Sequence, residues 1–290
     1  MTDNASTRRV CFYHAGCPDG MGAAWSVHSA WKGDGEFVAR GHDDVSRASD
    51  WKGAEVVFVD IAPQIDEVRA LAETASKITV LDHHVTARAR FDDAPETQQA
   101  LGDGGHLLVF DMDRSGAMMA WDHFHEGQPP PDLLRYVQDQ DLWHWALPDS
   151  SEVNAAIASY PYSFEAWTTL AAKSAAELAA EGRPILRSNR MEVTRVLKNA
   201  APVLVDGHKV EAVNSTVHRA QVGHELAERA RFGRPWGCVY RIQGTKVHAT
   251  LYSIGDFHVA PIAARLGGGG HPNAAGFTVS VADWVERFMS

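Results

Sequence analysis

Short runs of consecutive apolar residues alternate, through the first 125 residues, with segments whose apolar residues recur at helical spacing. The runs lie at 10–13, 56–59, 78–81 and 107–110. Continuous apolar runs are typical of parallel strands that are covered on both faces. Helical spacing predicts helices at 21–31, 65–75 and 115–125. Strands that alternate with helices favour a doubly wound, mostly parallel sheet of the α/β class.

The pattern changes after residue 127. The segment Gln128-Pro129-Pro130-Pro131 interrupts the helical spacing, and an N-cap-like Asp132 introduces a helix at 133–138. Residues 163–198 are rich in Ala, Glu and Arg, which favours connecting helices. We therefore expect a doubly wound domain at 1–165, a helical connector at 166–200 and a smaller domain at 201–290.

The last ninety residues predict an α+β domain. Asp206-Gly207 between two apolar runs indicates a hairpin with a primed turn. A second hairpin is predicted at 239–252, with its turn at Gln243-Gly244-Thr245. A short helix at 258–266, four consecutive glycines and a final strand follow. The sequence shows no internal repeat.

Composition restricts the possible function classes. The 290 residues are 45% hydrophobic and 22% charged, as in soluble globular chains. The formal net charge of −10 is opposite in sign to that of proteins that coat duplex DNA. No apolar run has the length of a membrane span, no secretory leader opens the chain, and there are only 3 cysteines. We expect a cytoplasmic protein without membrane association.

Metal-ligand residues follow three of the four predicted strands. The first strand leads to His14 and Asp19-Gly20, the second ends at Asp60, and the third ends at Asp82-His83-His84. Because the carboxyl ends of parallel strands share one edge, these side chains should converge. A single strand-end Asp such as Asp60 is commonly only a cap or turn residue. The repetition at three strands favours a site with imidazole and carboxylate ligands, which suit manganese, iron or zinc.

These motifs, in this order, resemble those of the DHH phosphoesterase family, which is named for the triplet Asp82-His83-His84. The sequence from Gly267 to Gly276, Gly-Gly-Gly-Gly-His-Pro-Asn-Ala-Ala-Gly, is similar to the signature of the DHH-associated C-terminal domain. The resemblance covers nearly the whole chain. It implies a two-domain fold with an active site in the interdomain cleft and two bound metal ions, usually Mn²⁺, with Mg²⁺ or Co²⁺ as substitutes.

The resemblance also implies roles for individual residues. His14 would ligate one metal and Asp19 the other, Asp60 would bridge both, and His83 would be the ligand of the triplet. The fourth motif is assigned to Asp141, in Asp139-Gln140-Asp141-Leu142-Trp143, which resembles the form in oligoribonuclease-like members. Asp139 and Asp111 remain alternatives. Asp82 would orient the two histidines, and His84 would face the substrate phosphate.

Substrate-binding residues are expected in both halves. Besides His84, they are Arg114, Gly268, Gly269, Gly270, His271 and Asn273. Glycines allow close backbone approach and form anion-binding nests, although a flexible surface loop is the alternative. The segment Ser115-Gly116-Ala117 at a helix start can bind a phosphate or can be an ordinary N-cap. The family's usual arginine before the glycine run is missing, and Arg114 or Asn214 are the candidates to replace it.

One departure from the family pattern concerns the first motif. Many members have two aspartates after the histidine, whereas this chain has Cys17-Pro18 before Asp19. Cys17 is either a soft metal ligand or a small buried filler in a turn, and in the second case a water can take the place of the missing carboxylate. Whether both metal positions are filled is left open. Trp143, Trp145, Tyr160 and Tyr162 either stack a base or pack in the core.

The function expected from these features is metal-dependent hydrolysis of short oligonucleotides or dinucleotides to mononucleotides, by attack of a two-metal-activated water. The expected partner is that small substrate, with no duplex DNA and no membrane, and a homodimer is left open. One alternative is an exopolyphosphatase or other phosphoanhydride hydrolase. The other is a nucleotide-binding protein that is not an enzyme and has a degraded metal site.

Overall fold

The computed structural model describes residues 7–42 and 44–289. The chain divides into two compact units between Leu186 and Arg187, called unit 1 and unit 2 below. The division lies within a long helix, α9 (Ala175–Leu197). The domain boundaries expected at 165/166 and 200/201 stay predictions.

Unit 1 is built on a sheet of five parallel strands in the order β2-β1-β3-β4-β5. The strands are β1 (Arg9–His14), β2 (Glu36–Arg40), β3 (Glu55–Val59), β4 (Lys77–Asp82) and β5 (Leu107–Phe110). The chain order reverses between β1 and β3, and such a switch point opens a crevice at the carboxyl ends of the strands. The predicted doubly wound parallel sheet is confirmed.

Helices cover both faces of this sheet. They are α1 (Pro18–Trp31), α2 (Ile65–Ala72), α3 (Val85–Asp92), α4 (Pro95–Asp103), α5 (Gly116–Phe124), α6 (Asp132–Asp141), α7 (Ser150–Ile157) and α8 (Phe164–Ala171), with a 3-10 helix at Ala48–Trp51. Alternate strand residues point to opposite faces, so Phe58 and Val80 lie in one buried cluster while Val57 and Leu81 lie in another. The rigid double core fixes the strand ends.

Unit 2 contains a mixed sheet of six strands in the order β10-β11-β9-β8-β7-β6, in which β7 and β8 are parallel and the other neighbours are antiparallel. The elements are β6 (Ala201–Val205), β7 (His208–Asn214), α10 (Arg219–Arg229), β8 (Trp236–Gln243), β9 (Lys246–Ser253), α11 (Ala260–Arg265), β10 (Gly269–His271), β11 (Ala274–Ser280) and α12 (Val281–Phe288). This is the α+β domain that the sequence predicts.

The hairpin turns of unit 2 follow their sequence signals. Asp206 and Gly207 have φ angles of 51° and 74°, and two positive φ angles are what a type I′ turn requires. Val205 pairs with His208 across this turn. In the second hairpin Gln243 pairs with Lys246, so its turn is Gly244-Thr245. Both predicted hairpins are confirmed.

Several elements differ from the sequence-based expectation. Strand β2 was not predicted, because the edge segment Glu-Phe-Val-Ala-Arg is bounded by charged residues. Asp132 is not the N-cap of α6; Pro131 takes that position in extended conformation, and Asp132 is the first helical residue. Part of the glycine run forms strand β10, which pairs with β11. Helices α3, α4, α7, α10 and α12 were also not predicted.

Within the described ranges 7–42 and 44–289, no helix combines the length and the apolar character that a membrane crossing requires.

Candidate metal centre

The carboxyl edge of the unit 1 sheet brings together the residues that the sequence places after its strands. His14 is the last residue of β1, Asp60 follows β3, and Asp82 is the last residue of β4. Asp19 lies in the first turn of α1, and Asp141 is the last residue of α6. We call these residues, together with Cys17, His83 and His84, the edge cluster.

Asp60 is the central carboxylate of the edge cluster. Its Oδ1 lies 3.1 Å from His83 Nε2, and its Oδ2 lies 3.3 Å from His14 Nδ1. The residue is only 1% exposed. Burial alone would raise the pKa of Asp60, but hydrogen bonds from His14 and His83 hold it well below its ordinary value. Asp60 is therefore an anion with histidines on both oxygens.

The backbone at Asp60 has an unusual conformation that aims its side chain. Its φ is 56°, in the left-handed region that non-glycine residues rarely adopt. Its N–H donates to the Leu81 carbonyl at 2.9 Å, so the residue stays attached to β4. Gly116 lies against it, because a Cβ on that glycine would be 2.4 Å from the Asp60 Cβ. Helix α5 therefore closes onto Asp60 only if its first residue is glycine.

Asp19 is held by the N-terminus of α5. Its carboxylate accepts from Gly116 N at 2.7 Å and from Ala117 N at 3.0 Å. One expectation from the sequence is that these N–H groups bind a phosphate. The structure corrects it, because the two groups donate to the Asp19 carboxylate instead. Ser115 is the ordinary N-cap alternative and accepts from Met118 N at 3.4 Å. Burial, together with the charges of Asp60 and Asp141, raises the pKa of Asp19 well above its ordinary value.

His83 Nε2 faces three carboxylates. Besides Asp60, the Oδ2 atoms of Asp19 and Asp141 each lie 3.5 Å from it. Burial opposes protonation of His83, but the hydrogen bond to Asp60 and the charge of Asp19 raise its pKa to about 10. Desolvation raises the pKa of Asp141 to about 6, with His83 opposing. Three carboxylates that repel one another around one imidazole form a set of ligands for a cation.

Asp82 organises the two histidines that follow it. Its Oδ1 accepts from the backbone N–H of His83 at 2.8 Å and from His84 Nδ1 at 2.7 Å. Burial opposes protonation of His84, while the hydrogen bond and charge of Asp82 raise its pKa. This contact fixes the His84 ring and turns its Nε2 away from Asp82. A carboxylate behind an imidazole is the usual support for a functional histidine.

His42 was missed by the sequence analysis. Its ring lies 4.6 Å from that of His14 and 4.9 Å from that of His84, and one nitrogen of each lies within 4.8 Å of the others. Desolvation and the neighbouring imidazole of His84 lower the pKa of His42 to about 4. The residue comes two positions after β2. Recognition of that edge strand would have placed His42 beside the others.

Cys17 lies inside the edge cluster. Its Sγ is 3.5 Å from His14 Nδ1 and 3.5 Å from Asp60 Oδ2. It is also the N-cap residue of α1, and its sulfur accepts from Gly20 N at 3.2 Å. Burial, together with the charges of Asp60 and Asp19, raises the pKa of the thiol well above its ordinary value. Without a cation it is a neutral thiol that donates to Asp60.

The two alternatives to Asp141 have other partners. Asp139 accepts from Ala146 N at 3.0 Å and from Ser150 Oγ at 2.5 Å, so it holds the loop after α6 in place. Asp111 accepts from Arg114 at 2.8 Å. The guanidinium of Arg114 also donates to Asp122 at 2.8 Å, and its role in substrate binding stays a prediction.

The glycine run of unit 2 has a structural explanation within its own sheet. A Cβ on Gly268 would lie 1.9 Å from the Gly276 carbonyl oxygen, and one on Gly270 would lie 2.6 Å from that of Ala274. These glycines therefore allow β10 to approach β11. Gly269 and His271 lie in the same strand. Substrate binding by Gly268, Gly269, Gly270 and His271 stays a prediction.

Two polar residues near the glycine run are also engaged within unit 2. Asn273 Nδ2 donates to Ser253 Oγ and to the Gly255 carbonyl, both at 3.0 Å, which anchors the loop before α11. Arg265 pairs with Asp206 at 2.6 Å. Asn273 and Asn214 stay predictions as phosphate ligands.

The aromatic residues after α6 divide between exposed and engaged positions. The ring of Trp143 packs edge-on against Trp145 at 5.1 Å, and both residues have positive φ. Trp143 is 37% exposed and Tyr162 is 43% exposed. Tyr160 instead donates to Glu181 at 2.8 Å. Trp143 comes two residues after Asp141, so an exposed indole lies next to the edge cluster in the chain.

Comparison with known protein families gives a match within unit 2. The DHHA1 domain matches residues 209–290, a range within unit 2 that includes the glycine run. Unit 2 is therefore similar to the DHHA1 domain, which agrees with the resemblance to the DHH phosphoesterase family that the sequence motifs indicate. The DHH triplet at the end of β4 and the two-unit fold agree with this resemblance.

Three relatives illustrate the range of similarity. The chain is 25% identical over 293 residues to an uncharacterized protein of Acanthamoeba polyphaga mimivirus, covering 93% of this chain and 67% of that protein. It shares its fold with the DHH domain of a protein described as a member of a family of ribosomal proteins, with a TM-score of 0.56, 12% identity, and coverage of 93% and 82%. RecJ of Thermus thermophilus, solved in complex with Mn²⁺, has a TM-score of 0.52 and 17% identity. This chain is 95% covered by that match but spans only 50% of RecJ.

The edge cluster fits a divalent cation by its own chemistry. One group of possible ligands is Asp19, His83 and Asp141, and another is His14, Cys17 and Asp60; within each group the ligand atoms lie within 4.8 Å of one another. Carboxylate and imidazole are the ligands of first-row divalent metals. The repulsion that raises the pKa of Asp19 is relieved when a cation lies between the carboxylates.

Proposed function

We propose that this protein is a divalent-cation-dependent phosphodiesterase that hydrolyses short oligonucleotides or dinucleotides to mononucleotides. The observation that supports it is the edge cluster, in which His83 Nε2 lies 3.1–3.5 Å from the carboxylates of Asp60, Asp19 and Asp141. Phosphodiesters resist attack because their charge repels nucleophiles, and bound cations at a cluster of carboxylates offset that charge.

The proposed roles follow the contacts. Asp60 would hold both cations, His14 would complete one position, and Asp19, His83 and Asp141 would complete the other. Two such cations, Mn²⁺ in our proposal, would activate a water and stabilise the leaving oxygen. Asp82 holds the His84 ring, so that Nε2 donates to a phosphate oxygen of the substrate. No nucleophilic side chain is needed.

Exposed aromatic residues favour a substrate with bases over inorganic polyphosphate. Trp143 is two residues from Asp141 and keeps more than a third of its surface accessible. A base stacked on an aromatic side chain gains about 1–3 kcal/mol. Polyphosphate has no ring to stack, so an exposed indole beside the cluster would contribute nothing to its hydrolysis.

A substrate panel tests the proposal. The full chain is incubated with Mn²⁺ and with di-, tri- and longer oligoribonucleotides, cyclic dinucleotides or polyphosphate, and mononucleotide and phosphate release are measured. We expect mononucleotides from the short oligonucleotides. Phosphate release from polyphosphate alone would overturn the substrate class. No turnover on any diester, together with no bound cation, would leave the nucleotide-binding alternative.

Asp60→Asn is the decisive variant. Asn tolerates the left-handed backbone of this position but lacks the charge, so the fold should stay intact while hydrolysis is abolished. Asp92→Asn, in an exposed pair with Arg88 on α3, is the matched control and should keep full turnover. Near-normal turnover of Asp60→Asn with added Mn²⁺ would refute the mechanism.

A further inference from the structure

We infer that Cys17 Sγ is itself a metal ligand, so that the cation position formed by His14, Cys17 and Asp60 selects a thiophilic ion such as Zn²⁺ over Mn²⁺. The inference rests on the metal-dependent function proposed above and replaces Mn²⁺ by a softer ion at one of its two positions.

The spacing of the three atoms supports this assignment. Sγ lies 3.5 Å from both His14 Nδ1 and Asp60 Oδ2, and those two atoms are 3.3 Å apart. A tetrahedral zinc ion at its usual bond lengths separates neighbouring ligand atoms by about 3.3–3.7 Å. The three side chains therefore already have the spacing of a nitrogen, sulfur and oxygen ligand set.

The local backbone holds the sulfur in this place. Cys17 caps α1, and Gly20 N points at Sγ from 3.2 Å. This N–H opposes the burial and the carboxylate charges that keep the thiol protonated, so it favours the thiolate, the form that binds metals, once a cation is present. Gly20 is required for the tight loop, because a Cβ there would lie 2.1 Å from the His14 carbonyl oxygen. When the cation binds, the S–H bond breaks, the proton leaves to solvent and the sulfur donates its electron pair to the metal.

The second position has a different chemical character. Asp19, His83 and Asp141 offer only oxygen and nitrogen, which suit harder ions such as Mn²⁺. A thiolate favours zinc and other softer ions. The protein would therefore hold two unlike cations. Asp60 connects the two groups of ligands, because one of its oxygens contacts His83 and the other contacts Cys17.

The other two cysteines provide the control. Cys11, in β1, is fully buried among apolar residues of α1, β3, β4 and α5, and Cys238 is fully buried in the core of unit 2. Neither belongs to a group of possible metal ligands in the part of the chain that the structure describes. Any thiolate–metal signal should thus come from Cys17 alone.

The test uses Co²⁺ as a spectroscopic probe of the metal-free full chain. We expect a thiolate-to-Co²⁺ charge-transfer band in the near ultraviolet for the native protein and for Cys238→Ala, and no band for Cys17→Ser. In competition between Zn²⁺ and Mn²⁺, followed by metal analysis, Cys17→Asp should shift the preference toward Mn²⁺ by at least about tenfold, the lower range for loss of a metal-supporting group.

The outcomes separate this inference from the proposed function. Binding of Co²⁺ without a thiolate band in the native protein overturns the role of Cys17 and leaves the phosphodiesterase proposal standing. Binding of none of the three metals overturns both. If the Cys17 variants do not fold, the native protein still decides, since Zn²⁺ should slow alkylation of Cys17, while the fully buried Cys11 and Cys238 should stay unmodified.

Discussion

The imidazole Nδ1 of His84 lies 2.7 Å from Oδ1 of Asp82, the residue two positions before it. The same oxygen accepts the backbone N–H groups of His83 and His84 at 2.8 Å and 3.3 Å. One carboxylate oxygen thus sets both the turn after β4 and the tautomer of His84. The consecutive acid and histidines of the triplet therefore act as one unit. The acid faces inward, and the two rings face the other residues of the edge cluster.

Asp82→Asn should lower turnover while leaving the bound metal unchanged. The amide oxygen still accepts a hydrogen bond, but it no longer stabilises a positive charge on His84. We expect a decrease of about 10–100-fold in turnover, the usual effect of losing such a support, measured with a short oligonucleotide and Mn²⁺. Asp92→Asn serves as the control here as well. If metal content decreases in parallel with turnover, Asp82 is a ligand and not a positioning residue.

Gly116→Ala should disrupt the centre from a neighbouring helix. The new methyl group would lie 2.4 Å from the Asp60 Cβ and 2.8 Å from its Cα, so Asp60 or α5 must shift. A displacement of about 1 Å can cost about 100-fold in rate, and we expect a loss of that size together with weaker Mn²⁺ binding by calorimetry.

Gly102→Ala is the matched control for that substitution. Gly102 lies in α4, where an added Cβ meets nothing within 4 Å. It should keep full turnover and gain up to about 1 kcal/mol in the free energy of unfolding, because alanine is the better helix residue. Equal turnover of the two variants would mean that α5 does not constrain Asp60.

The sequence predicts the edge cluster as far as strands can be recognised from apolar runs. Strands β1, β3 and β4 are buried on both faces, so their residues form continuous apolar runs and the polar residues that follow stand out. The contact of Asp19 with the N-terminus of α5 could not be predicted, because Asp19 and Gly116 are far apart in sequence and meet only after the sheet has formed. The role of the serine cap at 115 was open for the same reason.

His42 was not recognised from the sequence for a different reason. Strand β2 lies at the edge of the sheet, where only some residues need to be apolar, and two of its five residues, Glu36 and Arg40, are charged. Arg40 is nevertheless buried, because Glu67 on α2 accepts from both of its terminal nitrogens at 2.9 Å. A buried charge that is neutralised by a distant partner has no signal in a single sequence.

The Arg40–Glu67 pair should be important for the stability of unit 1. Both side chains are almost completely inaccessible, at 3% and 0%. Arg40→Met leaves the Glu67 carboxylate buried without its partner, which typically costs roughly 3–5 kcal/mol. Urea unfolding should show that loss. Arg88→Met breaks an exposed pair with Asp92, 48% and 50% accessible, and should cost less than about 1 kcal/mol.

The same pair also holds the segment that follows His42, whose ring lies beside those of His14 and His84. Arg40 also donates to the Asp44 carbonyl, and Glu67 accepts from Ser46 N at 2.8 Å, so the pair holds these two residues of the segment that follows His42. A loss of stability in Arg40→Met equal to that of Arg88→Met would show that the buried pair is dispensable.

Trp143→Ala should weaken binding of nucleotide substrates without changing the chemistry. Loss of one stacked base costs about 1–3 kcal/mol, which corresponds to roughly a 5–150-fold increase in KM. The turnover number and the Mn²⁺ content should stay close to native, because Trp143 is exposed and is not a member of the edge cluster. Steady-state kinetics on a dinucleotide measure both constants.

Tyr162→Ala is the matched comparison, since Tyr162 is exposed to a similar extent and reports whether stacking involves one ring or two. An unchanged KM in both variants would remove the support for a base-containing substrate and favour polyphosphate.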